Sequence, residues 1–164
     1  IKQSFFIGNF NPLNNLYLLI LSVGFSNMFY TELRSKQQFG YIVYAGISGY
    51  QRKYYFQQVI QSDKPKEQIK NAIKKFNDSY LEMINEDDFK KFVESAKNIL
   101  HEKETKMSDL INRYFDEILD NSFIFNRKQL LINQLKNVNY DSFKQFYSDK
   151  ILNGKVYVLE INKQ

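Results

Sequence analysis

From Leu13 to Tyr30 the chain carries no charged side chain. A run of that length either crosses a bilayer or is buried as a core helix. Asn14, Asn15, Ser22, Ser26 and Asn27 interrupt it, and the densely apolar part shrinks to Leu16 through Phe25, which is too short to span. A buried helix is therefore expected, with no membrane segment. Asn11 suits its N-cap and Pro12 its first helical position. The apolar-aromatic run from Ser4 to Phe10 reads as a strand leading into it.

A helix that apolar needs covering on most sides, and the rest of the sequence supplies the cover. Gly40–Ala45 and Tyr54–Ile60 are β-rich runs separated by Gly46, Gly49 and Gln51-Arg52-Lys53, and they should pair antiparallel. Asp63 and Pro65 then open a helix whose apolar positions Ile69, Ala72, Ile73, Phe76, Tyr80 and Met83 keep helical spacing. Asn85, with Asp88 three residues on, starts a second one. A third one-sided segment, from about Ser108 to Leu119, carries Leu110, Ile111, Tyr114, Phe115 and Ile118. Asn126 and Asn139 cap two shorter helices. The run from Lys155 to Ile161 is apolar on both alternating faces, as a central sheet strand would be.

Strand, helix, two strands, several helices and a last strand make an α+β fold, with a mainly antiparallel sheet packed by helices. At 164 residues and 43% hydrophobic content there is material for one domain, here residues 1–164. The sequence opens at Ile1 without a signal-peptide pattern, so it is expected to be a fragment of something larger.

The absence of Cys removes disulfides, thiolate nucleophiles and Cys-containing zinc sites. The single His, His101, lies among charges and reads as solvated; one imidazole does not make a metal centre, so no metal ligand is assigned. A formal net charge of +5 raises the possibility of nucleic-acid binding, which needs basic residues gathered on one face. Between Asp63 and Lys106, however, Lys and acidic residues balance, as on ordinary helix surfaces. A local basic excess occurs around Arg34, Lys36, Arg52 and Lys53. No nucleic-acid partner is expected, and a soluble, cytoplasmic setting is.

The most specific stretch is Phe29-Tyr30-Thr31-Glu32-Leu33-Arg34-Ser35-Lys36-Gln37-Gln38-Phe39-Gly40-Tyr41-Ile42-Val43. It resembles the F-x-x-L-R-x-K-x-Q-L-G-Y-x-V motif in the C-terminal half of insulysin and pitrilysin metallopeptidases. Phe39 stands where that family usually has Leu. Ile60-Gln61-Ser62-Asp63-Lys64-Pro65 is similar to the family's I-Q-S-x-K-P stretch, in the right order and spacing. Looser similarity runs from about residue 12 to the last strand.

The resemblance implies a domain of the LuxS and mitochondrial-processing-peptidase-like metallohydrolase fold, belonging to a zinc metalloendopeptidase that degrades peptides in a closed chamber. It implies that the H-x-x-E-H zinc motif, absent here, lies in an N-terminal catalytic half that is this domain's partner, with zinc as the full-length enzyme's cofactor. The fragment alone is then not catalytic. It implies further that Tyr41 and Arg34 reach the peptide substrate, in trans to the zinc-bearing domain. Tyr41 would donate to the oxyanion of the tetrahedral intermediate, and Arg34 would hold a substrate carbonyl or carboxylate. Arg34 near a helix C-terminus and Tyr41 opening a strand also have ordinary structural explanations, and the motif tips the reading toward function. The alternative is a non-catalytic scaffold homologue related to mitochondrial processing peptidase or respiratory core subunits.

Overall fold

The computed structural model describes residues 1–161. Four strands, β1 (Lys2–Asn9), β2 (Ile42–Tyr50), β3 (Lys53–Gln61) and β4 (Val156–Leu159), form one antiparallel sheet in the order β2-β3-β1-β4. Among the described residues six α-helices accompany it: α1 (Pro12–Tyr30), α2 (Lys66–Ser79), α3 (Glu86–His101), α4 (Met107–Leu119), α5 (Arg127–Ile132) and α6 (Tyr140–Tyr147). This is the expected α+β architecture.

The uncharged run becomes α1, with Pro12 in the first turn and the Asn11 side chain accepting from the Asn14 amide at 3.0 Å. Together with the turn that follows, the helix is long and apolar enough to cross a membrane by length and composition, but 50% of that window is buried against protein. Its polar interruptions have partners. Ser26 Oγ lies 2.7 Å from the Ala45 carbonyl of β2, and Asn15 Oδ1 accepts from the Asn11 amide at 3.0 Å. Phe25 is the hub of the core, packing edge-on to Phe56 of β3 and Phe76 of α2 at 5.0 Å, and 4.8 Å from the Tyr80 ring. Contacts of this kind add about 0.5–1.5 kcal/mol each beyond the area they bury.

Two polar side chains sit within this core and satisfy each other. The amides of Gln58 and Asn77 exchange hydrogen bonds of 2.7 and 3.2 Å, and the Tyr147 hydroxyl donates to the Asn77 carbonyl at 2.9 Å. Without such pairing, each buried amide would cost a few kcal/mol. β1 carries a bulge between Phe6 and Gly8, where Gly8 takes φ 134°, a backbone conformation that side-chain-bearing residues rarely adopt.

Four local expectations change. The β2–β3 hairpin does not break at Gly46 or Gly49; both lie inside β2, and the reversal falls at Gln51 and Arg52, with φ 49° and 65°. Two central positive φ values are those of a tight hairpin turn, built here without the Asn-Gly or Asp-Gly signal that usually marks one. β2 also begins at Ile42, so Tyr41 precedes the strand instead of opening it. The run near the C-terminus forms β4 at the sheet edge, exposed along its whole length, because a two-sided apolar pattern says that both faces tolerate burial and nothing about strand order.

The fourth change concerns α4. Its expected apolar stripe faces outward, with Ile111, Phe115 and Ile118 exposed, and its one buried residue is Glu117. Periodicity identifies a stripe without saying what covers it. The helix is held by the Glu117 carboxylate, which accepts from Arg127 Nη2 at 2.9 Å, from the Ile124 amide at 3.1 Å and from the Ser122 hydroxyl. Burial works against the charge on Glu117, yet these bonds outweigh it and keep the carboxyl below its ordinary pKa.

Candidate functional site

The Phe29–Val43 segment folds as the exit of α1 and the approach to β2. Helix α1 does not stop at Tyr30 but widens into a π-helical turn, Thr31–Lys36. It closes with the Gln37 amide on the Glu32 carbonyl at 3.1 Å and the Phe39 amide on the Leu33 carbonyl at 2.8 Å. Such wide turns are uncommon and occur often at functional sites. Leu33 and Phe39 are buried and anchor the turn, while Gln38 takes φ 51° to bring the chain round. On the outer side Glu32 accepts from Gln37 and from Lys36, each at 2.9 Å, and these bonds hold its carboxyl below the usual range.

Gly40 follows, and its lack of a side chain is a requirement. A Cβ there would lie 2.9 Å from the carbonyl carbon of Gln61 and 3.0 Å from Cα of Ser62, and nearer still to the Gln61 carbonyl oxygen. The first motif thus packs backbone to backbone against the second. The next residue, Tyr41, is 83% exposed. It stands beside a cleft of about 770 Å³ lined by Gly40, Ser62, Lys64, Ile69 and Leu159 among others.

Arg34 and Tyr41 meet as a pair. The guanidinium carbon lies 5.5 Å from the centre of the Tyr41 ring, and Nη1 donates to the Gly40 carbonyl. One guanidinium donor is thereby committed to the turn, and the others are not hydrogen-bonded among the described residues. The hydroxyl of Tyr41 makes no hydrogen bond among the described residues.

The other basic residues of the local excess do not join them. Lys36 pairs with Glu32, whereas Arg52 sits at the far end of the hairpin, its amide on Asp120 Oδ2 at 3.2 Å and its guanidinium on the Asn121 carbonyl. Gln61, against Gly40, and Lys64, on the Gln37 carbonyl, also build the site, though the sequence alone gives them no role in it. Their position in the second motif was the available signal.

Among the described residues no set of side chains suits zinc. His101 is exposed, with Nδ1 2.8 Å from the Lys97 carbonyl, and no group of three His, Cys, Asp or Glu side chains suited to a metal occurs among the described residues. What the site offers is an exposed phenol and a partly engaged guanidinium, a pair that can donate hydrogen bonds to carbonyl or carboxylate oxygens.

Comparison with known proteins accords with this geometry. Residues 20–115 match the family described as PQQ synthase PqqF-like, C-terminal lobe domain 4. The chain is 25% identical over 143 residues to the insulin-degrading enzymes of Mus musculus and Homo sapiens, covering 84% of its own length and 14% of theirs. It therefore spans about a seventh of these curated relatives. In fold it resembles pitrilysin, with a TM-score of 0.77 at 16% identity, over 94% of this chain and 17% of that one. The periplasmic protease PqqL from Escherichia coli superposes with a TM-score of 0.64 at 11% identity, over 92% and 17% respectively. On the match across most of its core, together with the two motifs that build the Arg34–Tyr41 turn, the chain belongs to the insulinase-like peptidase family as a C-terminal lobe domain.

Proposed function

We propose that this chain is the substrate-binding C-terminal domain of an insulinase-like zinc metalloendopeptidase, acting on peptides in a closed chamber whose catalytic half lies elsewhere in the full-length protein. The observation that carries the reading is Tyr41: a phenol 83% exposed, beside a cleft, on a turn that Arg34 and Gly40 hold in place. Large aromatic side chains usually lose most of their surface on folding, and this one keeps its hydroxyl free to donate.

Peptide hydrolysis builds negative charge on the scissile carbonyl oxygen, and a donor placed there stabilises the transition state more than the ground state. Tyr41 supplies that donor. Arg34 has N–H groups left for a substrate carbonyl or carboxylate, a contact present already in the ground state. The zinc belongs to the catalytic half, where it supplies Lewis-acid and water-activating chemistry. A soluble, cytoplasmic protein is the proposed setting.

The test is steady-state kinetics of the full-length enzyme on a short fluorogenic peptide, alongside thermal melts. Tyr41→Phe should lower kcat by on the order of 10²-fold with KM nearly unchanged. Arg34→Ala should raise KM as well. Wild-type kinetics for Tyr41→Phe, or a loss accounted for by a lowered Tm, would return both residues to a structural role.

A further inference from the structure

The direction of the Tyr41 phenol is not set by contacts of its own hydroxyl, which has no hydrogen-bond partner among the described residues. It follows from the backbone of residues 37–41. That backbone is irregular: it leaves a π-helical turn, passes through φ 51° at Gln38, and enters the sheet ladder only at Ile42, paired with Gln61. Segments with so few ladder bonds open readily unless something else fastens them.

We infer that Lys64 is a positioning residue for Tyr41, fastening the part of this turn that Arg34 does not hold. The inference rests on the functional reading of Tyr41 given above. Lys64 Nζ donates to the Gln37 carbonyl at 2.8 Å and lies 4.1 Å from the centre of the Phe39 ring. A carbonyl at the end of a helix lacks an intrahelical partner and carries the negative end of the helix dipole, so an ammonium is a well-matched donor. The buried Phe39 ring adds a cation–π contact. Arg34 binds residues 40 and 41, whereas Lys64 binds 37 and 39. Two cations thus grip alternate parts of one turn.

Lys64 is itself held where it can do this. Its amide donates to Ser62 Oγ at 3.0 Å, and Pro65, with φ −54°, fixes the chain immediately after it at the start of α2. The second motif therefore contributes twice to the first: Gln61 sets how near the backbone comes, and Lys64 locks the turn once it is there.

The experiment uses the full-length enzyme with Lys64→Met, which keeps the aliphatic stem and removes the charge and donors, and Lys64→Arg, which keeps both. Hydrogen–deuterium exchange should be several-fold faster across residues 37–41 in Lys64→Met, unchanged in distant segments, and restored in Lys64→Arg. In kinetics Lys64→Met should lower kcat by about 3- to 10-fold with little change in KM, as expected of a displaced donor. Combined with Tyr41→Phe it should cost nothing further, because it acts through the phenol. Unchanged exchange at 37–41, or kinetic losses that multiply in the double variant, would overturn the inference. Faster exchange together with a fully active Tyr41→Phe enzyme would leave the clamp standing and remove the catalytic role of Tyr41.

Discussion

Gly40→Ala is the most informative single change in this chain, because one methyl group tests both the fold of the turn and its use. The added carbon would sit 2.9 Å from the Gln61 carbonyl carbon, where ordinary separation of such atoms is about 3.5 Å or more. The turn and the exit of β3 must therefore part by at least about 0.6 Å. Neither side can yield by rotating a side chain, since the atoms met are backbone. Overpacking of this kind costs about 1–3 kcal/mol, which for a chain of this size lowers Tm by about 2–12 °C. The displacement reaches Tyr41 one residue later, and a catalytic group misplaced by about 1 Å loses on the order of 10²-fold in rate. Urea and thermal unfolding of this chain would measure the first effect, and kcat of the full-length enzyme the second. A Gly40→Ala variant with wild-type stability and wild-type kcat would refute the close approach of the two motifs.

Further outcomes follow from the rest of the structure. Glu117→Gln should destabilise the chain by about 3 kcal/mol in urea unfolding, near the low end for breaking a buried ion pair, since Arg127 keeps 23% of its side chain exposed. Because the folded pKa of Glu117 is depressed, its contribution is present above the unfolded value of about 4.3 and lost as pH falls through the folded one, so the gap between variant and wild type should narrow in acid. Tyr80→Phe should raise the urea midpoint, by about 1 kcal/mol of stability, because the buried Tyr80 hydroxyl has no hydrogen-bond partner among the described residues and burial pushes its pKa up. Metal analysis of the purified chain should find no stoichiometric zinc; one tightly held ion per chain would contradict the reading of His101.

The sequence made the core legible where local chemistry was explicit. Asn11, Asn85 and Asn139 cap their helices as expected, and the Asn85–Asp88 capping box forms in both directions. Asn126 precedes α5 without a side-chain cap, since its φ of −98° and ψ of 22° are not those of a typical N-cap. Arg34 and Tyr41 were legible as candidates only through the motif, and their contact with each other was not legible. Lys64 was not legible as part of the site, because its contacts to Gln37 and Phe39 join residues well apart in sequence. Strand order and the outward stripe of α4 were hidden for a similar reason: both depend on neighbours that alternation and period do not name.

The wide turn, the approach to β2 and the exit of β3 all come from one uninterrupted length of chain between Phe29 and Lys64, closed by the Gln51–Arg52 reversal. The turn made this way needs no element from the C-terminal half to bring Arg34, Gly40 and Tyr41 together, although the cleft beside it takes part of its wall from Leu159 of β4, so the turn is complete in topology once a single hairpin has zipped onto the end of α1. Changes of loop length between α4 and α5, where the chain turns through Asn121 and Phe123 at positive φ, would thus leave the spacing of Arg34, Gly40 and Tyr41 as it is.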